Sequence, residues 1–329
     1  MERVLITGAS GFVGFHLINE ALKNNLEVYA AVRKSSDIRH LKDSAIQYTY
    51  LLDYNNVQSL INELEDKQYT YIIHAAGTTA AKTGDDYNLI NATYTYNLAL
   101  AATKANIPLK KFVFLSSLAG LGPLPDNSST IKDDAKPNPV TAYGKSKLLA
   151  ETQLKPLTSL PLITIRPTAV YGPRDKDIFI ILKKFSQGLE PYIGKIDQQL
   201  SFVYVKDLAK VAVQALFSNV SHKTYNISDG NAYDRYALAD YSKQILSKKT
   251  FKIHLPLFLI KALAWLLEKT YANSKVTPAL NIEKLNELTA ANWICDIERA
   301  KTDLGFAPEY DLYAGLKESF EWYKANGWL

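Results

Sequence analysis

The sequence contains a single cysteine, Cys295, among its 329 residues. One thiol excludes a disulfide within the chain and a metal cluster held by thiolates. Cys295 lies in the stretch NWICD, and we interpret it as a buried, small apolar residue rather than a nucleophile. The five histidines show no metal-ligand spacing, so the sequence predicts no metal site. His74 ends an apolar run and is predicted to be a satisfied core residue.

The chain also lacks an uninterrupted apolar run of the roughly 18 to 20 residues that cross a bilayer. The most apolar segment, LPLFLIKALAWLLEKTY at 255–271, is interrupted by Lys261. The first strand-like run begins at Arg3, so we expect no signal peptide. These features predict a cytoplasmic protein without an integral membrane segment.

No strong charge imbalance is present either. The formal net charge is +5, and the lysines are scattered, which argues against a nucleic-acid partner and leaves room for an anionic small molecule. Apolar residues make up 47% of the chain and charged residues 22%, as in ordinary globular proteins. At this length we expect one large domain or two closely joined domains.

The first half of the chain alternates β-type runs with helical patterns, which predicts right-handed βαβ units and a parallel sheet. The strands are nearly continuous apolar runs, as expected of a sheet covered on both faces. The fold class is therefore α/β, a Rossmann-like doubly wound parallel sheet. After about residue 170 the pattern changes, although SFVYV at 201–205 and KTYNIS at 223–228 look like a return to the sheet. The predicted strands of the first half are 3–7, 27–33, 47–52, 70–76, 110–117 and 160–166.

A glycine-rich turn, TGASGFVG, follows the first strand and precedes the first helix. Its glycines are spaced three apart, which lets the backbone approach a pyrophosphate at the free N–H groups of the helix. The turn predicts a bound dinucleotide. The residues expected to contact it are Gly8, Ser10, Gly11, Phe12, Val13 and Gly14.

The end of the second strand carries Arg33 where NAD-binding folds place an acidic residue on the ribose. A guanidinium there suits a 2′-phosphate, and Arg39 is nearby, so NADP is favoured over NAD. Alternatively, Arg33 stacks on the adenine or faces solvent. Asp53, after the third strand, is expected either near the adenine amino group or as a loop cap.

Several motifs together resemble the extended short-chain dehydrogenases/reductases, also called the NAD-dependent epimerase/dehydratase family. The resemblance covers nearly the whole chain, closing with LGFAPEYDLYAGLKESFEWY. It implies the fold and the cofactor class more strongly than the substrate. The motifs that carry it are TGASGFVG, HAAG (74–77), FLSSLAGLGP (114–123), TAYGKSKLLAE (141–151), RPTAVYGPRD (166–175) and SFVYVKDLA (201–209).

The resemblance implies that Tyr143 is the acid/base, that Lys147 also holds the nicotinamide ribose, and that Ser117 binds the reacting oxygen. A lysine four residues after a tyrosine on one helix face is expected to lower the pKa of the phenol. Ser116 is expected on the nicotinamide side or as a strand cap. Asn91 matches a position that steadies the lysine, unless it is a helix-surface residue. Further cofactor contacts are implied at Ala75, Ala76, Gly77, Pro167 and Thr168.

Departures from the family pattern argue against two of the reactions found in the family, water elimination and nucleotide-sugar epimerisation. Dehydratases of this family carry Asp and Glu where this chain has Leu118 and Ala119, so water elimination has no obvious agent. Nucleotide-sugar epimerases carry an Arg-Asp pair where this chain has Leu200 and Ser201, unless Lys183 or Lys195 substitutes for that arginine. The segment SSLAGLGP resembles the 3β-hydroxysteroid dehydrogenase branch, and Arg33 resembles the dihydroflavonol-reductase branch.

We therefore predict an oxidoreductase that transfers a hydride between NADP or NAD and a secondary alcohol or ketone. The alternatives are a nucleotide-sugar 4-epimerase and a non-catalytic NADPH-binding regulatory protein. Residues 255–271 either line a pocket for a lipophilic small-molecule substrate or pack in the core. Family members often form homodimers through the Tyr143 helix and the long helix before it. The predicted division is a nucleotide-binding domain at 1–169 with 206–228, and a substrate lobe at 170–205 with 229–329.

Overall fold

The structure, a computed structural model, describes residues 1–42, 45–50, 53–271 and 281–329. Strands and helices alternate through the first half of the chain. The strands are β1 (Arg3–Thr7), β2 (Glu27–Val32), β3 (Gln47–Tyr50), β4 (Tyr71–His74), β5 (Lys111–Leu115), β6 (Leu162–Pro167), β7 (Ala169–Tyr171), β8 (Leu189–Ile193), β9 (Gln199–Leu200), β10 (Phe202–Tyr204), β11 (Lys223–Ile227), β12 (Tyr233–Asp234) and β13 (Phe251–Leu255).

Seven of these strands form the main sheet, in the order β3–β2–β1–β4–β5–β6–β11, and every neighbouring pair is parallel. The order reverses between β1 and β4, which creates the crevice where doubly wound folds bind ligands. The predicted fold class and all six strands of the first half are confirmed. Leu51 and Leu52, the end of the predicted third strand, lie outside the described residues.

The sequence interpretation was wrong about SFVYV (201–205). Only Phe202–Tyr204 is extended, and this strand pairs in parallel with β7 in a separate two-stranded sheet. The next helix begins at Val205, so this strand is only three residues long. KTYNIS does return to that sheet, as β11 beside β6.

Helices cover both faces of the main sheet. The α-helices are α1 (Phe12–Lys23), α2 (Val57–Lys67), α3 (Gly84–Asn88), α4 (Tyr94–Lys104), α5 (Ala142–Leu154), α6 (Asp177–Ser186), α7 (Val205–Phe217), α8 (Ala237–Leu246), α9 (Leu257–Tyr271), α10 (Ile282–Leu288), α11 (Glu298–Leu304) and α12 (Leu312–Ala325). Val4 and Ile6 of β1 pack on the side of α1 and α7, whereas Leu5 packs on the side of α2, α4 and α5. The strand residues alternate between two cores, as continuous apolar strands require.

A third cluster of buried side chains lies beyond the main sheet and is rich in tyrosine. It joins α6, α8 and α12 with the short strands, and its members include Tyr171, Phe185, Tyr204 and Phe320. Tyr323 of α12 donates a hydrogen bond to the Gly172 carbonyl at 3.0 Å, which ties the last helix to the chain that leaves β7.

Helix α9 contradicts the expectation of core packing. Only Ile260 and Ala264 of its fifteen residues are buried. Among the described residues, none of the helices combines the length and hydropathy that crossing a membrane requires.

Candidate active site

The glycine turn is packed so tightly that two of its glycines cannot carry a side chain. Gly8 has φ +70°, and a Cβ there would lie 2.6 Å from the Ala75 carbonyl oxygen. A Cβ on Gly14 would lie 2.2 Å from the Gly8 carbonyl oxygen. The Gly11 N–H closes the turn by donating to that same carbonyl at 2.9 Å. The bare backbone leaves room for a ligand to approach closely.

Helix α1 begins directly after this turn, at the carboxyl end of β1 beside the crevice. Its N-cap, Gly11, supplies no side-chain cap, so the first-turn amides of Phe12 and Val13 are not occupied by one. Ser10 is half-buried at the rim of the turn. An uncapped helix start next to bare glycine backbone is a site for a phosphate or pyrophosphate. The residues of the turn thus fit the dinucleotide that the sequence predicts.

Arg33 follows β2 and is exposed. Its backbone N–H donates to Ser36 Oγ at 3.1 Å, and its guanidinium forms no ion pair within the described part of the chain. Arg39 differs, because it binds Asp37 through both Nε and a terminal nitrogen, at 2.9 and 2.6 Å. The Arg39 guanidinium also lowers the pKa of Asp37. Among the described residues, Arg33 and its neighbour Lys34 thus have no carboxylate partner at this strand end, whereas Arg39 has one.

Asp53 is exposed and accepts a hydrogen bond from the Asn55 N–H at 3.1 Å. Its own carbonyl accepts from the Asn56 N–H at 3.0 Å. Asp53 thus closes the turn before α2, which corresponds to the loop-cap alternative.

Ser117 and Tyr143 meet at the carboxyl end of β5. Helix α5 begins at Ala142, and the N-cap residue Thr141 accepts a hydrogen bond from the Gly144 N–H at 3.0 Å. This cap fixes the first turn of the helix, which carries Tyr143. Ser117 follows β5 and accepts from the Ala119 N–H at 3.2 Å, and its side chain lies close enough to the Tyr143 phenol to lower the pKa of that phenol.

The pKa of Tyr143 moves opposite to the sequence expectation. Burial raises the pKa of the phenol to about 12, and the neighbouring Ser117 side chain opposes that rise. The negative charge of Glu287 and the Tyr87 phenol raise the pKa further. The ammonium four residues along the helix does not outweigh the desolvation of the phenolate. Tyr143 is therefore a neutral proton donor near pH 7.

Lys147 is buried one helical turn later and points toward the sheet. Its Nζ donates to the Leu115 carbonyl at 3.0 Å and lies 5.1 Å from the centre of the Phe114 ring. Burial lowers the pKa of the ammonium to about 8, and the negative charge of Glu151 acts in the opposite direction. Lys147 is thus charged at pH 7 and close to its own titration.

A buried ion pair that the sequence analysis missed lies behind Lys147. Glu151 follows Lys147 by one helical turn and receives bonds from Arg166 Nε at 2.9 and 3.1 Å. The Ser116 hydroxyl also donates to Glu151. Arg166 holds the Asp133 carbonyl at 2.8 Å as well. The signals in the sequence were an acidic residue four positions after the lysine and a lone arginine ending an apolar strand.

His74 lies at the end of β4 and is hydrogen-bonded on both ring nitrogens, as predicted. Nδ1 lies 2.8 Å from Thr7 Oγ1, and Nε2 lies 2.9 Å from Thr95 Oγ1. Because Thr95 donates its own proton to the Asn91 carbonyl, Nε2 carries the imidazole proton. Burial, and secondly the charge of Lys147, lower the pKa of His74 to about 3, so the ring is neutral.

The loop after β4 carries Ala75, Ala76 and Gly77. The Ala76 N–H donates to Thr7 Oγ1 at 3.1 Å, which ties this loop to β1 beside the glycine turn. A Cβ on Gly77 would lie 3.3 Å from Lys147 Nζ, so this glycine abuts the buried ammonium.

Asn91 is fully buried, so the surface alternative for this residue is wrong. It lies in a π-helical turn at 89–93 between α3 and α4, a feature that often marks functional sites. Its Oδ1 accepts from the Thr78 N–H at 2.8 Å, and its Nδ2 donates to Ser146 Oγ at 3.0 Å. Ser146 in turn donates to the Tyr143 carbonyl at 2.7 Å. Asn91 thus joins the loop after β4 to the tyrosine-bearing helix.

Comparison with known proteins agrees with this geometry. Residues 4–228, which are 225 of the 329 residues, match the NAD dependent epimerase/dehydratase family. This chain belongs to that family. It is an NAD-binding family, and the chain is accordingly an enzyme of the extended short-chain dehydrogenase type.

Full-length relatives of the chain include both epimerases and dehydrogenases. The chain is 28% identical to UDP-glucose 4-epimerase of Vibrio cholerae, over 97% of this chain and 94% of that protein. It is 24% identical to the decarboxylating sterol-4-alpha-carboxylate 3-dehydrogenase of Candida albicans, over 98% and 97% of the two chains.

Solved structures of this family share the fold. UDP-glucuronic acid 4-epimerase from Bacillus cereus, solved in complex with NAD, superposes with a TM-score of 0.77 over 98% of this chain and 99% of that chain. The two sequences are 23% identical, so this likeness speaks for the fold.

Two further residues that were predicted to contact the cofactor, Pro167 and Thr168, lie at the end of β6. Pro167 is buried as the last residue of the strand. The Thr168 N–H donates to the Ile227 carbonyl at 3.0 Å, and its hydroxyl donates to the Ser201 carbonyl at 2.7 Å. These bonds link β6 to β11 and to the segment before β10.

Helix α10 supplies an acidic residue that the sequence analysis did not place near the site. The Glu283 carboxylate accepts a hydrogen bond from the Ala142 N–H at 2.9 Å, at the residue before Tyr143. The C-terminal part of the chain therefore holds the start of the tyrosine-bearing helix directly.

Proposed function

We propose that this enzyme catalyses reversible hydride transfer between a nicotinamide dinucleotide and a secondary alcohol or ketone carbon. The observation that carries the proposal is the convergence of Ser117, Tyr143 and Lys147 at one sheet edge. This edge adjoins the bare, uncapped glycine turn. Dehydratase chemistry is not proposed, since Leu118 and Ala119 are apolar and form a 3₁₀ turn directly after Ser117.

The proposed roles follow from the charge states. When bound, the cofactor supplies or accepts the hydride at its nicotinamide. The neutral phenol of Tyr143 donates its proton to the oxygen of the forming alkoxide, and it recovers a proton in the reverse direction. Ser117 would orient that oxygen, and the charged Lys147 would hold the ribose hydroxyls of the bound cofactor. Ala75 to Gly77, Pro167 and Thr168 form the wall toward the nicotinamide.

The test of this mechanism is Tyr143→Phe. We expect turnover of ketones to fall by a factor of about 10² to 10⁴, the usual contribution of general acid–base catalysis, with cofactor affinity retained. The matched control is Tyr87→Phe, because this ring lies 6.3 Å from that of Tyr143 and its hydroxyl donates to the Thr79 carbonyl at 3.0 Å, so its loss should change turnover only slightly. Full activity in Tyr143→Phe would refute the assignment.

We propose NADP as the preferred cofactor, with Arg33 as the group that binds the 2′-phosphate. Its support is the Arg33 guanidinium at the end of β2, which has no ion pair among the described residues, whereas Arg39 is paired with Asp37. We expect Arg33→Ala to weaken NADPH binding by about tenfold or more and to leave NADH binding nearly unchanged. Arg39→Ala is the control and should change neither. Equal affinities of the unmodified enzyme for NADPH and NADH would contradict the preference.

The second candidate is a nucleotide-sugar 4-epimerase, favoured by full-length relatives of that activity. Against it, the family's diphosphate-binding arginine is replaced by Leu200, and the next residue, Ser201, is buried near the Asn231 carbonyl. Mass spectrometry of the nucleotide released on denaturation discriminates between the two. Stoichiometric, tightly held NAD, with UDP-sugar interconversion and no net change in reduced nicotinamide, would establish the epimerase. Cofactor binding without any Tyr143-dependent reaction would instead indicate a regulatory protein.

We further propose the division into a nucleotide-binding domain at 1–169 with 206–228 and a substrate lobe at 170–205 with 229–329. The tyrosine-rich cluster gives the second part its own core. A lipophilic substrate is favoured by the relatedness to a sterol dehydrogenase. A homodimer through α4 and α5 and a cytoplasmic location stay predictions.

A further inference from the structure

Helix α9 exposes an apolar face that no described part of the chain covers. Phe258 is 69% exposed, and Trp265 and Leu266 are each 52% exposed. Ile260 and Ala264 form a narrow buried stripe on the opposite side. A helix that is apolar around most of its circumference is normally buried in protein or in lipid. The outer residues, here called the α9 face, are Phe258, Leu259, Leu263, Trp265 and Leu266.

The stretch of sequence that carries the α9 face is basic. Residues 248–271 contain five lysines and one glutamate, a formal charge of +4 within a chain of net charge +5. Lys252 is paired with Glu190 of β8, and Lys269 lies 4.0 Å from the Trp265 ring centre. Lysines beside exposed tryptophan and phenylalanine are typical of helices that lie in a membrane interface, where lysine stems lie along the apolar surface.

We propose that the α9 face docks on the surface of a bilayer containing anionic phospholipids, with the helix in the plane of the interface. The described part of the helix has fifteen residues, fewer than the roughly 20 that span a bilayer. A second copy of the chain is the weaker occupant. A twofold interface would place the same positive segment against itself, whereas an anionic lipid surface complements it.

The docked face connects to the candidate active site through two hydrogen bonds. Glu268 of α9 accepts from the Ile282 N–H at the start of α10, at 2.9 Å. Glu283, the next residue, accepts from the Ala142 N–H at the start of α5. A substrate dissolved in the bilayer would thus meet the enzyme on the side of the tyrosine-bearing helix. Docking itself does not depend on the proposed reaction.

The experiment is co-sedimentation of the full chain with vesicles of phosphatidylcholine alone and of phosphatidylcholine mixed with phosphatidylglycerol. We expect binding to the mixed vesicles, weakened by added salt, and little binding to the neutral ones. The double variant Phe258→Asp, Leu266→Asp should lose binding by about tenfold or more for each side chain. Ile180→Asp, which changes an exposed apolar residue of α6, should bind normally.

Cofactor binding and the oligomeric state of each variant complete the test. Unchanged NADPH affinity in the double variant shows that the fold is retained. The proposal is overturned if the chain does not bind mixed vesicles, or if the double variant binds them as well as the unmodified chain. A dimer that the double variant disrupts, without vesicle binding, would assign the α9 face to a second copy instead.

Discussion

Replacing Lys147 with methionine should stabilise the cofactor-free protein near neutral pH although it removes a group proposed to act in catalysis. Lys147 is buried, and burial lowers the pKa of its ammonium from 10.5 to about 8. The charged lysine therefore destabilises the folded state at every pH below that value. Methionine fills a similar volume without a charge.

The magnitude follows from the pKa difference between the unfolded and the folded chain. A shift from 10.5 to about 8 corresponds to about 3 kcal/mol of lost stability at about pH 7, where both states are charged. The folded state loses its proton first as pH rises, so this loss shrinks through the window from about 8 to 10.5 and falls to roughly 1 kcal/mol at about pH 10. Removing the hydrogen bond to the Leu115 carbonyl costs about 1 kcal/mol at any pH.

Lys147→Met should therefore be about 2 kcal/mol more stable than the unmodified chain at about pH 7 and about equal to it at about pH 10. Urea unfolding of both proteins at the two pH values measures the difference. Lys145→Met changes an exposed lysine of the same helix. Its free energy of unfolding should stay within about 0.5 kcal/mol of that of the unmodified chain at both pH values. A Lys147→Met difference that does not vary with pH would refute the desolvation argument.

Two further substitutions test the packing around the site. Gly77→Ala would place a Cβ 2.9 Å from Asn91 Oδ1, so we expect a loss of about 1 to 3 kcal/mol in urea unfolding, whereas Gly84→Ala, with no atom within 4 Å, should be neutral or stabilising. Glu283→Ala removes the acceptor of the Ala142 N–H and should cost about 0.5 to 1 kcal/mol and lower kcat. Glu283→Gln keeps a hydrogen-bond acceptor and should retain most of the stability and most of kcat. If Glu283→Gln loses as much stability and activity as Glu283→Ala, the charge of Glu283 matters as well as its hydrogen bond.

The features that the sequence predicted are those encoded in adjacent residues. The doubly wound sheet follows from strand and helix periodicity, and the glycine turn from steric limits within TGASGFVG. Asp37, only two residues from Arg39, could have shown that this arginine is paired. The contact of Glu283 with Ala142 could not be predicted, because it joins segments 141 residues apart, and the sequence signals for Arg166 and Glu151 marked the two residues but not their pairing.

The direction of the Tyr143 pKa shift was predicted wrongly because spacing on a helix gives the neighbours of a group but not its solvation. In the folded chain desolvation outweighs the nearby ammonium, and the phenol becomes a weaker acid than free tyrosine. The same burial brings Lys147 close to titration, where Glu151 counteracts it.

Arg166, bonded to Glu151, prevents that carboxylate from being an unpaired buried charge. The negative charge of Glu151 raises the pKa of Lys147, so the pair favours the protonated lysine that the proposed mechanism uses. A neutral phenol at Tyr143 beside a charged ammonium at Lys147 favours the donation of a proton to an alkoxide. For this reason we expect the reduction of a ketone to be the faster direction near pH 7.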